Sequence, residues 1–289
     1  MSLRMNAVRV IAKLKIFETF INHGLYIAST VGLLFGYFMI KGFVGSIDTS
    51  GFDYSLNPFY DLIGRSIEGA LGQTFLNKIF AEGPFLIALY VCFIPVLAFL
   101  VMSSVFQFGL EKKVGALELL SYGPADGTAY FMGSLVKDVI FTLVYIFVLF
   151  LFLGLAALIN NLVMGPMFFY SLPLVFFLSL AIYAFGILAS TLTNSASTAI
   201  AFFVGILFLF LIVLFGSFTI VSAYVRNVAN VFAWIVKWLS PFFYWNIGLR
   251  AAETGNIPMF IASLFFLILL TAFILFLSDL IIKRRGVRA

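Results

Sequence analysis

Charge is what this chain has least of. Only 10% of its 289 residues are Asp, Glu, Lys or Arg, against about 25% in soluble domains, which excludes an ordinary soluble fold. Histidine occurs once, at His23, and cysteine once, at Cys92. Paired-His metal centres, Ser-His catalysis and an internal disulfide therefore lack their raw material. No glycine-rich loop ends in Gly-Lys-Ser/Thr, so the chain has no cradle for nucleotide phosphates, and ATP energy, if used, comes from another chain. Carboxylates are missing from the middles of the apolar runs, which disfavours an ion-coupled carrier. Internal repeats, low-complexity tracts and a soluble domain are absent too, as is any pattern for nucleic-acid binding. The chain is expected to hold no cofactor and to be no enzyme itself.

What fills the sequence is hydrocarbon. Hydrophobic residues make up 63%, with 38 Phe, and the mean hydropathy is +1.16. Runs at 25–44, 85–106, 131–158, 168–192, 199–224 and 259–282 are each long enough to cross a hydrocarbon core of ~30 Å as a helix. They lack the alternation of a β-barrel. Pro95 and Pro173 lie inside two of them, which a helical bundle tolerates. The expected fold is a single all-α integral membrane domain over 1–289, with six transmembrane helices. His23 stands where the first span begins and reads as a headgroup-level polar residue.

The first 20 residues place Val8, Ile11 and Leu14 on one side and Arg4, Arg9, Lys13 and Lys15 around the other. This is the pattern of an interfacial amphipathic helix, and the run that follows is too long for a signal-peptide core. Orientation follows from Lys and Arg. Eleven gather on the side of Arg4, Lys15, Lys112, Lys113, Lys137 and the 283–288 cluster, against six on the other. Both termini of this multi-pass protein are thus expected in the cytoplasm, in an inner or plasma membrane, with the basic C-terminus on the anionic leaflet. Asp138 beside Lys137 and Asp279 one turn before Lys283 read as charge-satisfied interfacial residues.

On the outer side, 45–84 carries an apolar period from Pro58 to Phe80 that predicts one helix along the membrane surface, as packing or as a lid over an exit. The segment 226–258, with Trp234, Trp238, Trp245 and Arg250, predicts two short re-entrant helices broken at Ser240-Pro241. The loop at 191–198 is small and uncharged, suited to a tight helical hairpin. On the cytoplasmic side, EKKVGALELLSYGP (111–124) places Glu111, Gly115 and Glu118 on one face and Val114 and Leu117 beside it. That is a short amphipathic helix, broken at Gly123-Pro124, with Asp126 placed to cap the next one.

This stretch resembles the E-x-x-x-G-[TS]-x-E-x-L-x-x-x-P signature of ABC-2 type permeases, the membrane subunits of ABC exporters, and it follows the second span as it does there. LSPFFYWNIGLRAAETG (239–255) resembles that family's second mark, in the branch of gliding-motility and copper-maturation permeases. Ala116 and Gly123 depart from the family pattern, as does Ser134 after Gly133. The resemblance implies a permease subunit that forms the path of an ATP-driven exporter, paired with a second copy or a related permease. It implies that 111–124 is a coupling helix docking into separate ABC ATPase subunits through Glu111, Lys112, Gly115, Glu118 and Pro124, with Ser240, Pro241 and Arg250 in the outer re-entrant segment. The alternative is a non-transporting membrane scaffold that recruits a cytosolic ATPase to a larger machine.

Overall fold

The computed structural model describes residues 2–48, 51–52, 58–113, 127–216 and 228–285. Its elements, in chain order, are α1 (Ser2–Ile21), α2 (His23–Gly45), β1 (Ile47–Asp48), β2 (Gly51–Phe52), α3 (Pro58–Leu71), α4 (Gln73–Ala81) and α5 (Phe85–Lys113). They continue as α6 (Gly127–Ile159), α7 (Pro166–Leu192), α8 (Ala196–Gly216), α9 (Val228–Leu239), α10 (Pro241–Thr254) and α11 (Ile257–Arg285). The two strands form one short antiparallel pair, Ile47 opposite Phe52; the other described elements are helices joined by short turns.

Among the described residues, six helices are long and apolar enough to cross a membrane: α2, α5, α6, α7, α8 and α11. They coincide with the six expected runs, except that the end of the fifth, 217–224, lies outside the described residues. Asn22 turns α1 into α2, its Oδ1 accepting from the Gly24 N–H at 2.8 Å, and the adjacent His23 is exposed.

The bundle is organised around α7, which packs against α5, α6, α8, α10 and α11. Small residues let the neighbouring pair α2 and α5 approach closely. A Cβ on Gly32 would collide with the Cys92 carbonyl, and one on Gly36 with the Cys92 thiol. Pro95, with no N–H and a bulky ring, disturbs this part of α5. The Cys92 carbonyl in the preceding turn accepts a hydrogen bond from the Tyr145 hydroxyl at 3.1 Å, so a span-to-span bond serves the weakened turn.

At the far end of the bundle, which α2 reaches from α1, two expectations meet different outcomes. The period from Pro58 to Phe80 forms two helices instead of one, because Gly72 takes φ 93°, a left-handed conformation that ends α3 and redirects the chain. Tyr60 pins α3 to the bundle by donating to the Met39 carbonyl at 2.6 Å. Burial pushes its phenol above the ordinary value, which keeps it a donor at working pH. The expected break at Ser240-Pro241 is found: α9 ends at Leu239 and α10 starts with Pro241 at its first position. α10 packs into the bundle against α7 and α11, burying Tyr244, Gly248, Leu249 and Ala251.

Candidate functional site

The segment expected to dock an ATPase begins inside α5. That helix runs seven residues past the apolar run, so Glu111 and Lys112 form its last turn. Gly115, Glu118 and Pro124, with the cap position Asp126, lie outside the described residues. What the structure gives is the seat on which that segment stands.

On one side of the seat, the N-terminal helix is tied to both of its roots. α1 lies along α6, and the Lys15 ammonium, only 5% exposed, binds Glu111 at 2.5 Å and Glu18 at 3.2 Å. It also sits 5.3 Å from the centre of the Tyr130 ring. Ile11, Phe108, Tyr130, Phe131 and Ile187 close an apolar cluster beneath these charges. The contact is tight at Gly133, where a Cβ would fall 2.7 Å from Ile11 Cγ2. α1 thus rests on the bundle through Ile11, Ala12, Lys15 and Thr19, all buried, which corrects the expected division of its faces: Leu14, expected on the apolar side with Ile11, is exposed, and Lys15, expected on the polar side, is drawn into the contact by Glu111.

Across the seat, Lys112 is 8% exposed and turned into the chain. Its ammonium donates to the Thr193 carbonyl at 2.8 Å and to Asn194 Oδ1 at 3.4 Å, in the tight turn between α7 and α8. One turn earlier, a Cβ on Gly109 would lie 2.7 Å from the Ala196 Cα. Glu111 and Lys112, both expected on a docking face, are engaged within the chain, and through them α1, α5 and the α7–α8 turn are joined. Lys15→Gln is expected to release α1, lowering stability by about 1 kcal/mol and speeding proteolysis near Arg9 and Lys13. Limited proteolysis of the purified protein checks this, since a cleavage pattern equal to that of the native chain would mean that the Glu111 bond is idle.

Asp138 corrects the interfacial expectation. Lys137 and Asp138 are 0% and 1% exposed, with Nζ and Oδ1 2.8 Å apart. Ser104 of α5 completes the group: its hydroxyl lies 2.8 Å from Asp138 Oδ2 and accepts from Lys137 Nζ at 2.7 Å. A pocket of about 10 Å³ beside it is lined by Ser104, Ser134, Asp138, Tyr183 and Ser190, room for about one water molecule. The charges are satisfied, as expected, but in the bundle instead of at its edge. Asp279 does follow expectation, pairing with Lys283 at 2.5 Å across one turn.

The far-side candidates are structural in placement. Ser240 caps α10 without a side-chain cap bond; its hydroxyl is buried and has no hydrogen-bond partner among the described residues. Pro241 is buried, and Arg250 is exposed with Nε donating to Asn246 Oδ1 at 3.1 Å. Tyr244 holds α10 to α9 by donating to the Trp238 carbonyl at 2.9 Å.

The sequence reading did not find a cavity of about 520 Å³ between α5, α7, α8 and α10, roofed by α3 and α4. Its hydrogen-bonding side chains are Tyr90 and Trp245, with Trp245 Nε1 donating to Tyr90 Oη at 2.8 Å and the Tyr90 hydroxyl also bonded to Ser171. The lining is assembled from six helices, so no local pattern announces it. No cluster of three or more His, Cys, Asp or Glu suited to a metal occurs among the described residues. Comparison with protein-family models, with curated proteins and with solved structures finds no match for this chain.

Proposed function

We propose that this chain is the membrane subunit of an ATP-driven exporter of the ABC-2 permease type, working as a homodimer or with a related permease and powered by separate ABC ATPase subunits. In this reading 111–124 is the coupling helix, Gly115 and Glu118 meet the ATPase, Pro124 ends the helix, and both termini lie in the cytoplasm.

The observation that carries the proposal is the seat of that segment. A helix that transmits a push must stand on roots that do not yield separately. Here the α5 root is bound to α1 through Lys15 and Glu111 and to the α7–α8 turn through Lys112, while the α6 root closes on α1 at Gly133. Displacement of the segment then moves several spans as a unit, the rigid-body rocking by which two bundles open a path between them. Gly115 supplies the close approach and Glu118 the charge for such a contact.

Glu118→Lys reverses the charge of the docking face. Co-expressed with its ATP-binding-cassette partner, this variant is expected to retain less than a tenth of the co-purified ATPase while its melting temperature stays within about 2 °C of native. Wild-type recovery with full stimulated hydrolysis would sink the docking role. ATP-dependent flux in vesicles that hold both subunits then separates an exporter from a scaffold.

A further inference from the structure

The apolar cavity has no part in holding the ATPase seat, and its form restricts what fills it. On α5 its lining runs from Leu86 to Met102, a depth of roughly 24 Å at 1.5 Å per residue. That reaches from the far-side end of the span past the bilayer middle. Leu178 and Ile182 of α7 form its back wall, and Leu207 and Leu211 of α8 its side. The space is a long slot rather than a compact chamber. It is half-open: Ile94, 60% exposed, lies on its rim with the exposed Ala98 one turn along. That rim belongs to a helix long and apolar enough to cross a membrane, so the opening faces hydrocarbon. Ile63 of α3 and Ile79 of α4 form the roof, and α4 is braced there by Lys78 donating to the Glu253 carbonyl of α10.

Water is a poor occupant, because it needs two to four polar partners and the lining offers two hydrogen-bonding side chains, Trp245, whose N–H is given to Tyr90, and Tyr90, which is also engaged with Ser171. An empty slot is unfavourable too, since its walls forfeit dispersion contacts along their whole length. The volume of about 520 Å³ falls within the range of small-molecule sites, ~300–1,000 Å³, and the surrounding solvent is itself made of long apolar chains.

We propose that the slot binds one acyl chain of a bilayer phospholipid, which enters sideways past Ile94 and Ala98 and lies beneath the α3–α4 roof with its headgroup end beside Trp245. The site belongs to the single chain and needs no ATPase. It gives the outer helices a task as the cover of a lipid site, which a purely interfacial helix pair would not have.

The test places the purified full-length chain in nanodiscs of phosphatidylcholine containing a small fraction of phosphatidylcholine with a diazirine near the end of one acyl chain. After photolysis, adducts are mapped by mass spectrometry. Per residue, Ile94, Leu97 and Leu207 are expected to carry at least five times the adducts of Leu143, Phe147 and Leu151, which face outward on α6. Ala98→Phe with Met102→Phe fills the slot and is expected to bring cavity labelling down to the α6 level. Equal labelling of the two sets in the native chain overturns the proposal without reference to any variant, because it means only annular lipid is present. Undiminished labelling in a folded filled variant overturns it as well, and so do covalent links between two copies of the chain at Ile94, which would show that a second copy covers the opening.

Discussion

Asp138→Ala is expected to be the most damaging single substitution in the bundle. It strands the Lys137 ammonium at 0% exposure with one hydroxyl, Ser104, as its remaining close partner. Breaking a buried ion pair by deleting one member costs about 3–5 kcal/mol, because the survivor stays desolvated and uncompensated. Lys137→Met is the mirror case, leaving the Asp138 carboxylate with the same hydroxyl. The double variant Lys137→Met, Asp138→Leu removes both charges and fills the space with hydrocarbon, so its stability is expected to equal or exceed that of the native chain. Unfolding of membrane proteins is seldom reversible, so the measurement is the inactivation half-life in detergent at fixed temperature. A single variant as long-lived as the native chain would mean that water reaches the pair. A double variant that is stable yet inactive in the flux assay would assign the pair to the transport cycle instead of the fold.

The sequence already held the clue to this burial. Ser134, Asp138, Thr142 and Tyr145 recur at helical spacing along α6, followed by Leu149 and Leu153, and all six are buried. A polar residue on the stripe that continues as the apolar core faces the bundle, not the membrane surface. Proximity to Lys137 and to the helix end suggested an interface because charge near a terminus is the commoner arrangement. The spans themselves were legible for a simple reason: a helix in hydrocarbon must be about 20 apolar residues long, and nothing else in the chain is. The Ser240-Pro241 break was legible because proline cannot continue α9. The division of α3 from α4 was not, because the hydrophobic period passes straight through Gly72 and only its positive φ marks the turn.

The candidate site was half legible. Glu111 and Lys112 stood out as charges after a span, but their partners, Lys15 and the 193–194 turn, are 96 and 81 residues away in sequence for the bonds that matter. Long-range ion pairs leave no local pattern. Periodicity places Lys15 on the polar side of an amphipathic helix, but it is buried on the face that holds Ile11 and Ala12, because α6 sets Tyr130 and Gly133 against α1 there and Glu111 lies within reach.

Gly32 and Gly36 provide a second large effect, and their two neighbours make it separable. A Cβ on Gly32 meets the Cys92 carbonyl and comes within 2.8 Å of the Tyr145 hydroxyl, whereas a Cβ on Gly36 meets the Cys92 thiol. Backbone cannot rotate aside, but a side chain can be removed. Gly32→Ala is therefore expected to cost about 1–3 kcal/mol by overpacking, and more than a bare clash would suggest, because it also displaces the hydroxyl that serves the turn before Pro95. Gly36→Ala is expected to cost a similar amount alone. Combined with Cys92→Ala, however, Gly36→Ala should recover most of the loss, while Gly32→Ala should recover little. The two double-mutant cycles, read as melting temperatures or half-lives in one detergent, thus give unequal coupling energies. Equal rescue of both glycine variants would show that α2 shifts as a rigid body on α5. No rescue of Gly36→Ala would show that its cost arises elsewhere than at the thiol. The predicted asymmetry requires that α2 and α5 touch backbone to backbone at Gly32 and side chain to backbone one turn later at Gly36.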